Sequence, residues 1–112
     1  MQTSVTMVLG ASTNPERYSY MATVMLLEKG HAVYPYGIKK GMIQSLPIVQ
    51  DWPKTGSIAT LTLYLGPTAQ VEYYDQMIAL KPDRIIFNPG TENPRLVELA
   101  HAANISTIEA CT

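Results

Sequence analysis

The sequence predicts an α/β fold of the doubly wound, Rossmann-like kind, with a five-stranded parallel sheet and helices on both faces. Short β-prone runs alternate with stretches whose apolar residues recur at helical spacing, and most runs end in a turn-forming glycine or proline. Strands that alternate with helices are parallel and are joined by right-handed crossovers. The 112 residues, 46% of them hydrophobic, suffice for one core, so residues 1–112 are expected to form a single domain.

Five runs have the composition of buried strands. In chain order they are Val5–Leu9, Ala32–Tyr36, Ile58–Leu65, Arg84–Phe87 and Ser106–Cys111. We expect the spatial order third, second, first, fourth, fifth, as in other doubly wound sheets. The irregular segment 37–56 is predicted as a loop with one helical turn around residues 48–52.

Three segments have helical spacing. The first is expected to follow the capping residue Ser19 and to end at Gly30. The second opens near Thr68 and ends near Lys81, and the third begins at Asn93-Pro94, an N-cap followed by proline, and ends near Asn104. The predicted apolar faces are, in turn, Tyr20, Val24 and Leu27; Val71, Tyr74 and Ile78; and Leu96, Leu99, Ala100 and Ala103.

The turn after the first strand is the best functional signal. Gly10 there allows close approach of the backbone to a phosphate, which the amides of Ala11 to Asn14 and the following helix would attract. Of the motif G-x-G-x-x-G only this glycine is present, and Ser12 stands at the second position. The turn is therefore either a phosphate site or a purely structural βα turn.

The end of the second strand disfavours an ordinary nicotinamide or flavin dinucleotide. Such ligands need an acidic residue there, and none lies between Glu28 and Asp51. Lys39 and Lys40 follow the strand instead. They suit an extra ribose phosphate, as in coenzyme A (CoA) and NADP, or they are solvated loop charges.

The composition of the chain disfavours several classes of partner and location. A net charge of −1 disfavours nucleic acid as a partner, and no apolar run is long enough to span a membrane. Without a basic, apolar leader the protein is expected to be cytoplasmic. One cysteine, Cys111, permits no intramolecular disulfide, and whether its thiol is reactive stays open.

No catalytic or metal-binding residue is predicted. Tyr36 and Lys40 have the spacing of a dehydrogenase pair, which functions only on a helix, and the glycines and proline around them disfavour one. His31 and His101 have no Cys or acidic partner at ligand spacing.

The stretch VLGASTNPERYSY at residues 8–20 resembles the start of the small stand-alone bacterial CoA-binding family, relatives of the CoA-binding domain of acyl-CoA synthetases. The Leu-Glu-Lys-Gly-His that ends the first helix, the Asn-Pro-Gly after the fourth strand and the last helix also resemble that family. Two places depart from its pattern: Tyr34-Pro35 replaces the usual Asn-Pro, and the loop at residues 64–68 is uncharged.

The resemblance implies a non-catalytic domain that binds coenzyme A or an acyl-CoA. The alternatives are a small NADP(H)-dependent oxidoreductase and a scaffold that has lost its ligand. A protein partner, if there is one, is either a second copy or another protein. The residues expected to contact the ligand are Gly10, Ala11, Ser12, Thr13, Asn14, Arg17, Pro35, Tyr36, Lys39, Lys40, Gly66 and Pro67.

Overall fold

The computed structural model describes residues 4–110 and confirms the α/β fold class. In chain order its elements are β1 Val5–Leu9, α1 Tyr18–Glu28, β2 Ala32–Tyr36, β3 Met42–Ile43, β4 Leu46–Pro47, β5 Thr60–Leu63, α2 Pro67–Gln70, a 3-10 turn Val71–Tyr73, α3 Tyr74–Leu80, β6 Arg84–Phe87, α4 Pro94–Ala102 and β7 Ser106–Glu109. In this part of the chain β1, β2, β5, β6 and β7 form one sheet in which every neighbouring pair is parallel. No helix within it is both long and apolar enough to cross a bilayer.

The predicted strand order is wrong. The sheet runs β2-β1-β5-β6-β7, so the third predicted strand pairs with β1 rather than with β2. Pro35 gives the physical reason, because proline lacks the N–H that an interior strand needs and is confined to edge strands. Along the outer side of β2, Val49 donates its N–H to the Pro35 carbonyl at 2.9 Å and accepts from Gly37 at 3.1 Å.

The main core lies between the sheet and the helices α3 and α4. Met7 and Leu9 of β1 belong to the same buried cluster as Met77 of α3 and Leu96 of α4. Val8 between them is also fully buried, and alternation along the strand turns it to the other face. The right-handed crossover from β1 to β2 places α1 on that face. Because both faces of the central strands are covered, their carboxyl ends are held firmly at one edge.

The first helix begins earlier than Ser19. Arg17 is the residue before its first turn, and no side chain caps it. Ser19 is buried inside the helix, where its carbonyl accepts a hydrogen bond of 2.7 Å from the Thr23 hydroxyl. The predicted end is confirmed: Gly30 has φ +81°, and the amides of Gly30 and His31 donate to the carbonyls of Leu27 and Leu26, an arrangement that closes helix C-termini.

The second predicted helix is interrupted. It consists of α2, the 3-10 turn and α3, and it ends at Lys81 with φ 53°. The predicted face is displaced, since Val71 is 58% exposed while Gln70 is fully buried. Hydrogen bonds of the Gln70 amide, described below, require this burial, and a hydrophobic pattern cannot reveal it.

The predicted start of the last helix is confirmed, whereas the prediction for the segment after β2 is wrong. Asn93 caps α4 as predicted, with its Oδ1 accepting from the Leu96 amide at 3.2 Å. The helical turn around residues 48–52 is wrong, because none of these residues is helical and Val49 forms a parallel bridge with Tyr36. Just before them, strands β3 and β4 form an antiparallel hairpin through a turn with Gln44 at φ 54°. Ile43 and Ile48 are buried beneath it and attach the segment to the domain. The predicted last residue of the final strand, Cys111, lies outside the described residues.

Candidate functional site

A crevice opens where β1, β2 and β5 end, at the edge of the sheet predicted to bind ligand. We call this cavity of about 340 Å³ the main crevice. It lies beside the point where the chain reverses direction across the sheet, the usual ligand position in doubly wound folds. Its lining comes from the Gly10 turn, the segment after β2 and the start of the β5–β6 connection: Leu9, Gly10, Ala11, Ser12, Thr13, Arg17, Tyr36, Gly37, Ile38, Lys39, Ile48, Leu65 and Tyr73.

Gly10 is required by the backbone and by its neighbours. Its φ of +104° is unfavourable for any residue with a side chain, and an added Cβ would lie 3.2 Å from the Tyr64 carbonyl carbon. The amides of Gly10 and Ala11 both donate to the Tyr36 carbonyl, at 3.0 and 2.9 Å. These bonds join the ends of β1 and β2, and they leave neither amide available to a phosphate.

The loop that follows is shaped by its own polar groups. Ser12 Oγ accepts from the Asn14 amide at 3.1 Å, and Asn14 Oδ1 accepts from the Glu16 amide at 3.0 Å. Asn14 therefore organises the loop. Of the amides from Ala11 to Asn14, only those of Ser12 and Thr13 donate to no group within residues 4–110.

The wall on the β2 side is held by close contacts of two glycines. A Cβ on Gly37 would lie 2.6 Å from the Ala11 carbonyl oxygen and 3.0 Å from Ile48 Cγ2. A Cβ on Gly41 would overlap the Thr13 methyl group. Side chains are thus excluded at both positions, and the segment packs directly onto the Gly10 loop.

Three aromatic rings support one side of the crevice. Trp52 stacks on Tyr73 with ring centroids 5.7 Å apart, and Tyr36 meets both rings edge-on at 5.2 and 6.1 Å. Burial raises the pKa of the Tyr73 hydroxyl, and the neighbouring Tyr36 and Glu72 raise this pKa further. Tyr36 and Tyr73 line the crevice and Trp52 lies behind them, so the sole tryptophan is placed to report on ligand binding by fluorescence.

Buried amides tie together the loops after β5 and β6, which line a second depression beside the main crevice. Gln70 Nε2 donates to the carbonyls of Leu65 and Thr91, both at 2.8 Å, and Gln70 Oε1 accepts from Asn93 Nδ2 at 2.8 Å. Asn88 Nδ2 donates to Thr62 Oγ1 at 2.7 Å. These bonds fix the loops after β5 and β6 relative to each other.

A second, smaller depression adjoins the main crevice, and we call it the side cavity. Its volume is about 190 Å³, and it shares Gly10, Ser12 and Arg17 with the main crevice. The start of α1 forms one side of it, and the amides of Tyr18 and Ser19 donate to no group in the described chain. Its remaining lining residues are Tyr64, Gly66, Pro89, Gly90 and Thr91.

Eight of the twelve predicted ligand residues line one of these two cavities. They are Gly10, Ala11, Ser12, Thr13, Arg17, Tyr36, Lys39 and Gly66. The other four, Asn14, Pro35, Lys40 and Pro67, lie beside them without lining either cavity. The structure therefore brings the two predicted contact regions, the Gly10 loop and the end of β2, together at one crevice.

Sequence reasoning did not select the residues that come from distant segments. Ile48 and Tyr73 reach the crevice from the hairpin segment and from the 3-10 turn. Ile38 lines the crevice between the predicted contacts Tyr36 and Lys39. Gly90 was a usable signal, because a glycine in the turn after a strand lies on the ligand side of the sheet. In the structure it has φ +89° and lines the side cavity.

The constellations set aside in the sequence stay apart in the structure. Tyr36 ends β2 and Lys40 lies in the following loop, so the two are not paired on a helix. His101 Nε2 lies 3.0 Å from the Thr107 hydroxyl oxygen. Among residues 4–110, no three of the potential ligands His, Cys, Asp and Glu come together as a metal site.

The chain is similar to one known protein family and to several solved structures. Residues 4–112 match the profile of a family described as the CoA binding domain. Among curated proteins no match is found. A crystal structure of an uncharacterized protein is 37% identical, with a TM-score of 0.92 over 99% of this chain and 92% of that one.

Two further solved structures share the fold. A hypothetical protein from Pyrococcus horikoshii OT3 is 25% identical, with a TM-score of 0.84 over 98% of this chain and 78% of that one. A protein from Thermus thermophilus is 21% identical, with a TM-score of 0.85 over 97% of this chain and 84% of that one.

Proposed function

The chain belongs to the family of CoA binding domains, and on that premise we propose that its main crevice binds coenzyme A or an acyl-CoA. One observation carries the proposal. Ser12, Thr13 and Arg17 line the main crevice together, Ser12 and Arg17 also line the side cavity, and the amides of Ser12 and Thr13 donate to no group within residues 4–110. This combination suits the pyrophosphate of the ligand.

The pyrophosphate is expected between the Gly10 loop and the start of α1. Backbone amides and the positive end of a helix dipole both favour an anion there. The guanidinium of Arg17 adds a charged donor that can meet phosphate oxygens in a bidentate manner. Because the Arg17 side chain makes no hydrogen bond or ion pair within residues 4–110, its guanidinium can serve a ligand.

The adenosine is expected on the β2 side of the crevice. Tyr36 and Tyr73 supply aromatic surface there, and Lys39 lies on the rim. An ammonium group at this rim suits the 3′-phosphate that distinguishes CoA from its dephosphorylated form. The described residues bring no nucleophile, base and oxyanion donor together here, so we propose binding without catalysis.

A thermal-shift comparison of CoA, dephospho-CoA, NADPH, NADH and ATP tests the proposal. A ligand at about 100 times its dissociation constant adds about 2.7 kcal/mol to the free energy of unfolding, a rise of about 10 °C or more in Tm. We expect CoA to give the largest rise. A larger rise with NADPH would favour the oxidoreductase alternative, and no rise with any nucleotide would contradict a binding function.

An Arg17→Gln variant makes the test specific to the crevice. The loss of charged phosphate contacts should weaken CoA about tenfold, while the fold should be unaffected because no cap is lost. Arg95→Gln, an exposed position on α4, is the matched control and should bind as the wild type does. Equal CoA affinity in both variants would place the phosphates elsewhere.

A further inference from the structure

An apolar groove runs along α1 beyond the side cavity. We call this depression of about 310 Å³ the α1 groove; Tyr18, Met21, Ala22 and Met25 form one side and Tyr64 and Pro89 the other. The four helical residues stand at i, i+3, i+4 and i+7, the spacing of a single helix face. The sequence therefore places a continuous apolar strip beside the ligand edge of the sheet.

The strip is unusually exposed for its composition. Tyr18, Met21 and Met25 are exposed by 77%, 47% and 41%. Contiguous apolar surface of this kind marks an interaction site more often than isolated exposed residues do. Among the residues of the groove that the structure describes, none is charged, and the Asn88 amide beside it is engaged by Thr62 and the Leu63 carbonyl.

The main crevice, the side cavity and the α1 groove form one continuous series. The side cavity shares Gly10, Ser12 and Arg17 with the crevice. It shares Tyr18, Tyr64 and Pro89 with the groove. The series is thus lined by amides and cationic side chains at one end and by apolar side chains at the other, with the side cavity between them. This order fits a ligand with phosphates at one end, a polar linker such as the pantetheine arm in the side cavity, and an apolar tail.

We propose that the α1 groove holds the acyl chain of an acyl-CoA, so that medium-chain acyl thioesters bind more tightly than acetyl-CoA or CoA itself. The inference rests on the proposed function of the main crevice. From Tyr18 to Met25 the helix rises about 10 Å, a span that an acyl chain of medium length can follow and an acetyl group cannot. Methionine side chains adapt to flexible apolar ligands, and two of them line the groove.

Calorimetric titrations of the wild type with CoA, acetyl-CoA and octanoyl-CoA test the inference. Each buried methylene group strengthens binding several-fold, so octanoyl-CoA should bind at least about tenfold more tightly than acetyl-CoA. Equal affinities for the three ligands would overturn the acyl-chain site and leave CoA binding intact. Failure of all three to bind would overturn both proposals.

A double variant, Met21→Gln with Met25→Gln, tests the location. Glutamine has a similar shape and helix propensity but is polar, so the ratio of acetyl-CoA to octanoyl-CoA dissociation constants should fall to about 1–2. Met42→Gln, 52% exposed on the β3–β4 hairpin, is the matched control and should keep the wild-type ratio. A tenfold ratio retained in the double variant would place the chain elsewhere and overturn the assignment.

Sedimentation velocity separates this occupant from a second copy of the chain. We expect the wild type and the double variant to sediment alike, because the groove is open to ligand in the free protein. A wild-type dimer that the double variant dissociates, together with no gain for octanoyl-CoA, would show that a second copy covers the groove. That result would overturn the inference.

Discussion

The two sides of the ligand edge, around the main crevice and the side cavity, are built in different ways. On the β5 and β6 side, the buried amides of Gln70, Asn88 and Asn93 bind the loops to one another through hydrogen bonds of 2.7 to 2.9 Å. On the β2 side, the segment that follows β2 and contains the β3–β4 hairpin packs against the Gly10 loop. Its backbone approaches that loop closely at Gly37 and Gly41. One wall depends on side-chain polarity and the other on the absence of side chains.

This difference predicts where the crevice tolerates change. Removing a buried polar group leaves its former partners unsatisfied, which costs overall stability. Adding a methyl group at a glycine contact pushes the segment after β2 away from the Gly10 loop. This change distorts the crevice and also lowers the stability of the fold. The first kind of change should be seen mainly in unfolding and the second also in ligand binding.

The largest expected effect comes from Gln70→Leu. Leucine keeps the volume but leaves the carbonyls of Leu65 and Thr91 without their donor, at a cost of about 3 kcal/mol and more than about 10 °C in Tm. Val71→Ala at the exposed neighbouring position is the control, with an expected change below about 0.5 kcal/mol. Chemical denaturation measures both. A Gln70→Leu protein as stable as the control would show that the polar wall is dispensable.

Gly37→Ala should cost about 2 kcal/mol, because the new methyl group must displace Ala11 or Ile48. The displacement should also weaken CoA binding at the adjacent loop. Gly56→Ala is the control: its φ of +83° brings strain of about 1 kcal/mol, but its Cβ would meet no atom within 4 Å. If CoA responses are equal in the two variants, the glycine wall does not shape the site.

Lys39 and Lys40 provide a finer comparison within the glycine-built wall. Lys39 lines the crevice and Lys40 does not. Lys39→Ala should therefore reduce the preference for CoA over dephospho-CoA by about 1 kcal/mol, an effect weakened by salt, and Lys40→Ala should leave the preference nearly unchanged. Paired titrations measure the preference. No preference in the wild type would mean that both lysines are solvated loop charges.

The smallest effect concerns alkaline pH. Burial raises the pKa of Tyr73 above its ordinary value of 10.0, with smaller contributions from Tyr36 and Glu72. Below pH 10 the resulting stability is fully present; above it, the unfolded chain ionises first, so stability is lost as pH rises through the folded-state pKa. Tyr73→Phe should lose less stability than the wild type from about pH 10 upward. Parallel slopes for the two proteins in pH-dependent denaturation would refute this assignment.

The sequence predicted the elements of the sheet well because each strand is a local β-prone run closed by a turn residue. The order that it predicted is wrong, because the order depends on pairings between distant runs. Pro35 indicates the correct place of β2, since a strand that contains proline belongs at the edge of a sheet. The β3–β4 hairpin was missed because its strands are only two residues long each.

The residues of the candidate site likewise fall into those that local sequence identifies and those that tertiary packing places. The Gly10 loop and Lys39 follow strands directly, so motif spacing and family resemblance found them. Tyr73 reaches the crevice through tertiary packing alone. Gln70 is a polar residue outside the predicted apolar face of its helix, yet its hydrogen bonds hold it fully buried. Local patterns cannot identify polar residues whose role is to join distant loops.

The central claim is that a phosphate-bearing nucleotide lies between these two walls, and a crystal structure of the protein grown with CoA tests it most directly. We predict the pyrophosphate within hydrogen-bond distance of the Ser12 and Thr13 amides and of the Arg17 guanidinium, with the adenosine toward Tyr36. A nucleotide bound on another face, or a crevice left empty at CoA concentrations that saturate the protein in solution, would contradict the account.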